Sequence, residues 1–260
     1  MWPDSCLGKQ DLLYRFPPFT DQEMKNLSLL LAGSLVAAST LSAQTVFTGQ
    51  TLSPVGVTGA ALTARNNFLG ALSASVATQN FESFGNGATA PLALNFGFAG
   101  TATLSGSGNV TDSPNSGRFA TSGEKYWAQI VGSGAMFQVL FAQNVAAFGF
   151  YGTDIGDFNG RLTLKFFDNA NLVNSFIAQN GDLSGDFLSV LEGNLLFWGV
   201  TYGTNAFNRV EFELAGGTDV FGFDDLTVAD ASQIVPEPAS VVLLATGLLG
   251  LVGVARRRRA

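Results

Sequence analysis

The chain has 260 residues, 47% of them hydrophobic and only 13% charged, with 31 glycines, 23 phenylalanines, one cysteine, no histidine and a net charge of −7. Without histidine, neither a Ser-His-Asp nor a Cys-His relay can be assembled, and the ordinary zinc sites of His and Cys ligands are excluded. Residues 44–234 carry six basic side chains (Arg65, Arg118, Lys125, Arg161, Lys165, Arg209) and fifteen acidic ones, a net of −9 that disfavours nucleic acid and anionic lipid as partners.

Residues 1–23 are mixed polar and aromatic, with Pro17-Pro18 among them, and look nothing like the charged n-region of a signal peptide. They read as an extension upstream of a true start at Met24, or as an unusually long leader. Met24-Lys25-Asn26, the apolar run Leu27 to Ala38 and the small-residue exit Ser39-Thr40-Leu41-Ser42-Ala43 form the charged, apolar and cleavage regions of a secretory signal peptide. Cleavage is expected after Ala43, with Ser39 as the second choice. The only cysteine, Cys6, lies ahead of either point, so the exported body has none. A body of this size can bury enough core to stand without disulfides.

Residues 44–234 make one expected domain. Ala61, Leu62, Phe68, Leu69 and Leu72 recur at helical spacing, which predicts a helix over Ala60 to Leu72 with Thr58 as its cap. Beyond it the period changes to two. Leu162 to Phe166 and Val210 to Leu214 alternate apolar with polar, as half-buried strands do. Phe96 to Leu104, Met136 to Phe141, Ala146 to Tyr151, Leu196 to Val200 and Val220 to Val228 read as buried strands, separated by Gly, Asn, Asp and Ser clusters. Many short strands without a fixed repeat indicate a mainly β fold, a single jelly-roll-like β-sandwich with one short N-terminal helix. The phenylalanines fill its core. Tyr126, Trp127, Trp198 and Tyr202 are core residues on the simplest reading and an aromatic binding platform on the sharper one.

Acidic clusters are the candidate chemistry. Asn80-Phe81-Glu82-Ser83-Phe84 and Phe221-Gly222-Phe223-Asp224-Asp225 resemble the first and last strands of galactose-binding-like jelly rolls. That resemblance implies a structural calcium held by Glu82 with Asp224 or Asp225, the first and last strands being neighbours. Alternation sends the side chains of Asp224 and Asp225 to opposite faces, Asp225 sharing the inward face of Phe221 and Phe223, unless a bulge intervenes. A second cation loop is offered by Asp154, Asp157 and Asn159, or else these residues make a turn bonded to its own backbone. Carboxylates that could face each other across a cleft (Glu82, Glu124, Asp154, Asp157, Glu192, Glu211) leave a calcium-dependent glycan hydrolase as one alternative and a purely structural matrix protein as another. No phosphate-cradling loop, dinucleotide fingerprint or cysteine pair is present.

The chain ends with Pro236-Glu237-Pro238, seventeen uncharged residues from Ala239 to Ala255, and Arg256-Arg257-Arg258-Arg259. As a helix the apolar run spans roughly 25 Å, the lower limit for a transmembrane helix. The arginines hold its end on the cytoplasmic side, which puts the body outside. Residues 235–260 together resemble the PEP-CTERM sorting signal. The resemblance implies export by the general secretion machinery, a precursor anchored in the inner membrane with its body periplasmic, and cleavage by an exosortase that recognises the tripeptide. The mature form is then expected at the cell surface or in the extracellular matrix, non-enzymatic and associated with exopolysaccharide. The strings AFGFYGTDIGDFNGRLTL and DVFGFDDLTVAD also look like phrases that recur in PEP-CTERM proteins whose body has no assigned activity.

Overall fold

The computed structural model describes residues 44–52, 56–129, 134–156, 160–179, 193–215, 220–235 and 247, all within the compact unit Ser42–Ala260. The leader, the prolines of the tripeptide and the arginine cluster lie outside the described residues. Among the described residues no helix is long and apolar enough to cross a membrane.

In chain order the elements are β1 (Thr45–Leu52), α1 (Gly59–Gly70), β2 (Ala77–Gln79), β3 (Leu92–Asn95), β4 (Thr101–Gly106), β5 (Asn109–Thr111) and β6 (Tyr126–Ala128). They continue with β7 (Gly134–Val145), β8 (Ala147–Thr153), β9 (Arg161–Asp168), β10 (Asn171–Gln179), β11 (Asn194–Thr201), β12 (Phe207–Ala215) and β13 (Gly222–Ala229). Two antiparallel sheets form a sandwich. One runs β1-β11-β8-β13-β6-β5, with β2 also on β13; the other runs β10-β9-β12-β7-β4-β3.

The two sheets show different sequence patterns because their outer faces differ. Strands β8, β11 and β13 are buried at every position. The inner face of their sheet meets the second sheet, and its outer face is covered in part by α1. That helix turns Ala61, Ala64 and Phe68 onto the sheet, where Phe68 lies against Phe47 and Phe197. Gly149 and Gly199 make room for the Phe68 ring: a Cβ at either would come within 3 Å of it. Strands β9 and β12 alternate instead, because their outer face meets water. Lys165 pairs there with Glu213 and Arg209 with Glu211, and the Arg209 guanidinium lies over Phe167 at 4.1 Å.

Between the sheets the aromatic side chains interlock. Phe137 stacks on Phe212 at 4.1 Å, Phe150 meets Phe212 edge-on at 5.2 Å, and Phe166 meets Phe207 at 4.8 Å. Each such pair adds ~1 kcal/mol beyond the area it removes from water. Tyr126, Trp127, Trp198 and Tyr202 are all buried. The core reading of these four therefore holds, and no aromatic platform is built from them.

Three local expectations need correction. Phe96 to Leu104 is not one strand. Asn95 Oδ1 accepts from the Gly97 amide and the Phe96 amide donates to the Gly100 carbonyl, so the chain turns back through a 3-10 turn at Gly97–Ala99 between β3 and β4. Thr58 occupies the cap position of α1, but its side chain caps nothing. It is the Thr58 carbonyl that is used, accepting from the Thr51 hydroxyl. Asp224 and Asp225 do not part to opposite faces, for the reason given next.

Candidate functional site: a loop clamped by buried carboxylates

Strand β13 changes partner halfway along. Gly222 and Phe223 pair with β6, whereas Leu226, Thr227 and Val228 pair with β2. Asp224 and Asp225 stand at the break. Opposite, on β8, Asp224 faces Tyr151 and Thr227 faces Gly149, so Asp225 and Leu226 together oppose Phe150. That is a bulge, and Asp225 takes the left-handed conformation (φ 50°) within it. The bulge cancels the alternation, and both carboxylates reach the segment Thr121-Ser122.

The contacts are dense. Asp224 Oδ2 accepts from the backbone amides of Thr121 (2.7 Å) and Ser122 (3.1 Å), and its Oδ1 from the Asp225 amide (2.7 Å). Asp225 Oδ1 accepts from the Ser122 hydroxyl at 2.6 Å. The Thr121 hydroxyl lies 3.0 Å from Asp224 Oδ2 and 3.1 Å from Asp225 Oδ2. A hydroxyl has one proton to give, so one of these two contacts needs a proton on a carboxyl. Electrostatics agrees. Burial, and then the charge of Asp225, push Asp224 up to about 8 against the pull of the three amides. At neutral pH Asp224 therefore holds a proton.

Glu82 clamps the same loop three residues further on. Its Oε1 accepts from the amides of Glu124 (2.8 Å) and Lys125 (2.6 Å), and the Lys125 amide, then that of Glu124, hold the carboxyl below the ordinary range. The Lys125 ammonium donates to the carbonyls of Glu82 and Phe84. Gly123 lies against this carboxylate at φ 63°, where a side chain would meet both strain and the Glu82 oxygens. Further back, Asp154 (φ 62°, 2% exposed) lies beneath Gly117, the Tyr126 hydroxyl donates to the Ser113 carbonyl at 3.0 Å, and the Phe119 amide donates to the Thr153 hydroxyl. Four of the five non-glycine residues with positive φ among those described (Phe81, Ser116, Asp154, Asp225) belong to this region. Such strain persists only where the surroundings over-determine it.

Loop 112–125 lines an open cleft of about 470 Å³ with Asp112, Pro114, Phe119, Ala120, Gly123 and Glu124. The Asp112 carboxylate is steered by the side-chain amide of Asn86 at 2.7 Å. Asp112 and Glu124 are both exposed.

Glu82 and the aspartate pair thus act on one loop. Asp224 Oδ1 and Oδ2, Asp225 Oδ1 and Glu82 Oε1 each accept from a protein donor. Among the described residues no group of three His, Cys, Asp or Glu side chains is arranged to hold a metal. Asp157 and Asn159, partners of Asp154 in the second expected cation loop, lie outside the described residues, as does Glu192; Glu211 is engaged with Arg209 on the far sheet. Sequence reasoning missed Thr121, Ser122, Asp112 and Phe119. The available signal was Ser113-Pro114-Asn115-Ser116-Gly117, a turn-rich stretch too long for a hairpin between two strands.

Residues 235–259 match the PEP-CTERM protein-sorting motif. No curated protein matches the chain. Among solved structures, the K2 cleaved adhesin domain of Lys-gingipain is similar at 11% identity and a TM-score of 0.40, covering 59% of this chain and 97% of that one. TmCBM61, solved in complex with β-1,4-galactotriose, is similar at 19% identity and 0.30, covering 58% and 94%. The C-terminal family 22 carbohydrate binding module of Clostridium thermocellum Xyn10B is similar at 14% and 0.33, covering 61% and 96%.

Proposed function

We propose that this carrier of the PEP-CTERM sorting motif is an exported bacterial surface or extracellular-matrix protein that acts by binding and packing rather than by catalysis, in association with exopolysaccharide. The general secretion machinery takes the precursor out by its residues 24–43. The apolar segment Ala239 to Ala255, backed by Arg256 to Arg259, holds the precursor in the inner membrane with its body periplasmic, until an exosortase cuts at Pro236-Glu237-Pro238. Two prolines around one residue keep that tripeptide extended, the form in which a chain enters a protease-like cleft. The observation that carries the reading is the match of residues 235–259 to the sorting motif.

The body supports a non-catalytic role. The carboxylates of the clamp accept from protein donors, and the absence of histidine removes every His-based relay. An acidic body without cysteine needs neither a reducing nor an oxidising compartment to stay folded. The test is to express the chain with and without residues 235–260 in a host that has an exosortase. Surface exposure of the full chain, with periplasmic retention or free release of the truncated one, is expected. The same distribution for both would remove the sorting claim.

A further inference from the structure

The wall of the cleft selects among ligands by charge. Pro114, Phe119, Ala120 and Gly123 give it an apolar surface, Asp112 and Glu124 border it, and no described basic side chain lines it. The Glu124 carboxylate accepts no hydrogen bond among the described residues. Asp112 is turned by Asn86 and Ser113 and keeps acceptor sites to spare. The surrounding body carries a net of −9, which concentrates cations at such a place and repels uronate or sulfate chains.

The rest of the ligand's chemistry follows from the wall and rim. A bare cation gains nothing from Phe119 and Pro114. A neutral sugar uses that apolar face but gives the two carboxylates only hydroxyl donors. A pyranose bearing an ammonium group uses both, with its C–H face on the ring of Phe119 and its cation between Asp112 and Glu124. The wall is already fixed before any ligand arrives, because Asp224, Asp225 and Glu82 clamp its backbone; less ordering is then lost on binding.

The geometry points to this cleft as a binding site for an amino-sugar polymer with free ammonium groups, an assignment that rests on the polysaccharide association proposed above. The test titrates the full chain, in mild detergent at about pH 6 where amines are protonated, with a glucosamine hexamer, its N-acetylated counterpart and poly-lysine. The glucosamine hexamer is expected to bind about tenfold more tightly than the uncharged counterpart. Asp112→Asn with Glu124→Gln is expected to weaken it about tenfold. Glu211→Gln with Glu213→Gln, which removes the same net charge from the far sheet, is expected to change it less than about twofold. Phe119→Leu is expected to weaken binding by more than any loss of folded protein, which its melting curve measures, because the ring also packs against the core cluster beneath α1. Equal losses for the two double variants would reduce the effect to net charge. Equal binding of the N-acetylated hexamer, or tighter binding of poly-lysine that is lost in the same cleft variants, would also overturn the assignment. Surface delivery is followed separately in the same strains, so loss of the cleft claim leaves the sorting claim standing.

Discussion

Asp224 and Asp225 stand at 1% and 5% exposure on the last strand, each within reach of the same threonine hydroxyl. Two buried carboxylates side by side cost stability, so their value lies in what they position, the Thr121-Ser122 segment. Folded Asp224 keeps its proton up to about pH 8, whereas its ordinary value is 3.8. Between those values the folded state binds more protons than the unfolded one, so stability falls as pH rises and levels off above about 8. Glu82 and Asp230 work in the other direction, since backbone amides hold both below the ordinary range and their contribution is lost in acid. The melting temperature should therefore peak near about pH 5 and decline by up to about 1 kcal/mol of stability per pH unit towards pH 8. Asp225→Asn removes the neighbouring charge, the second cause of the Asp224 shift, and leaves burial, the first; asparagine tolerates a φ of 50°. It should make the decline between about pH 5 and pH 8 shallower without abolishing it. A variant profile parallel to the original would contradict the coupling of the two carboxylates. Excess chelator should leave the melting curve of the full chain unchanged, because the clamp oxygens already have donors; a fall in melting temperature that Glu82→Gln abolishes would restore calcium.

At the scale of elements, periodicity was informative wherever one face meets water. Strands β9 and β12 were legible from Leu162 to Phe166 and Val210 to Leu214 for that reason. Helix α1 showed its apolar spacing, and Ala61 and Phe68 do face the sheet. Edge and short strands were not legible. Strand β10 carries bulges near Val173 and Ala178 that break its alternation, and β2, β5 and β6 are three residues each. The bulge at Asp225 was beyond local reading, because it arises where β13 exchanges β6 for β2, a fact of tertiary pairing. The clamp on loop 112–125 was hidden for the same reason, its partners lying about a hundred positions apart in the chain. Docking of α1 depends on one ring. Phe68→Ala should cost ~3–5 kcal/mol in urea unfolding, while Thr58→Ala, whose hydroxyl caps nothing, should cost less than ~0.5 kcal/mol. Equal costs for the two would show that the helix is held by its backbone rather than by its contact with β1 and β11.

For the whole molecule, the ends of the chain and its middle report on different things. The last 26 residues were fully legible as an address, since proline, span and arginine act through order and spacing rather than through tertiary contacts. The sandwich was legible as a class, from glycine-punctuated apolar strands rich in phenylalanine. The cleft was not, because its lining comes from a loop whose course is set by distant carboxylates. The proposal joins the acidic body and its clamped loop to the sorting motif of residues 235–259. Its most direct test is the intact mass of the protein recovered from the surface or medium of a host with an exosortase. The account predicts a product that begins near Ala43 and ends at the Pro236-Glu237-Pro238 tripeptide without the arginine cluster; a product recovered there that keeps residues 24–43 or Arg256 to Arg259 would contradict it.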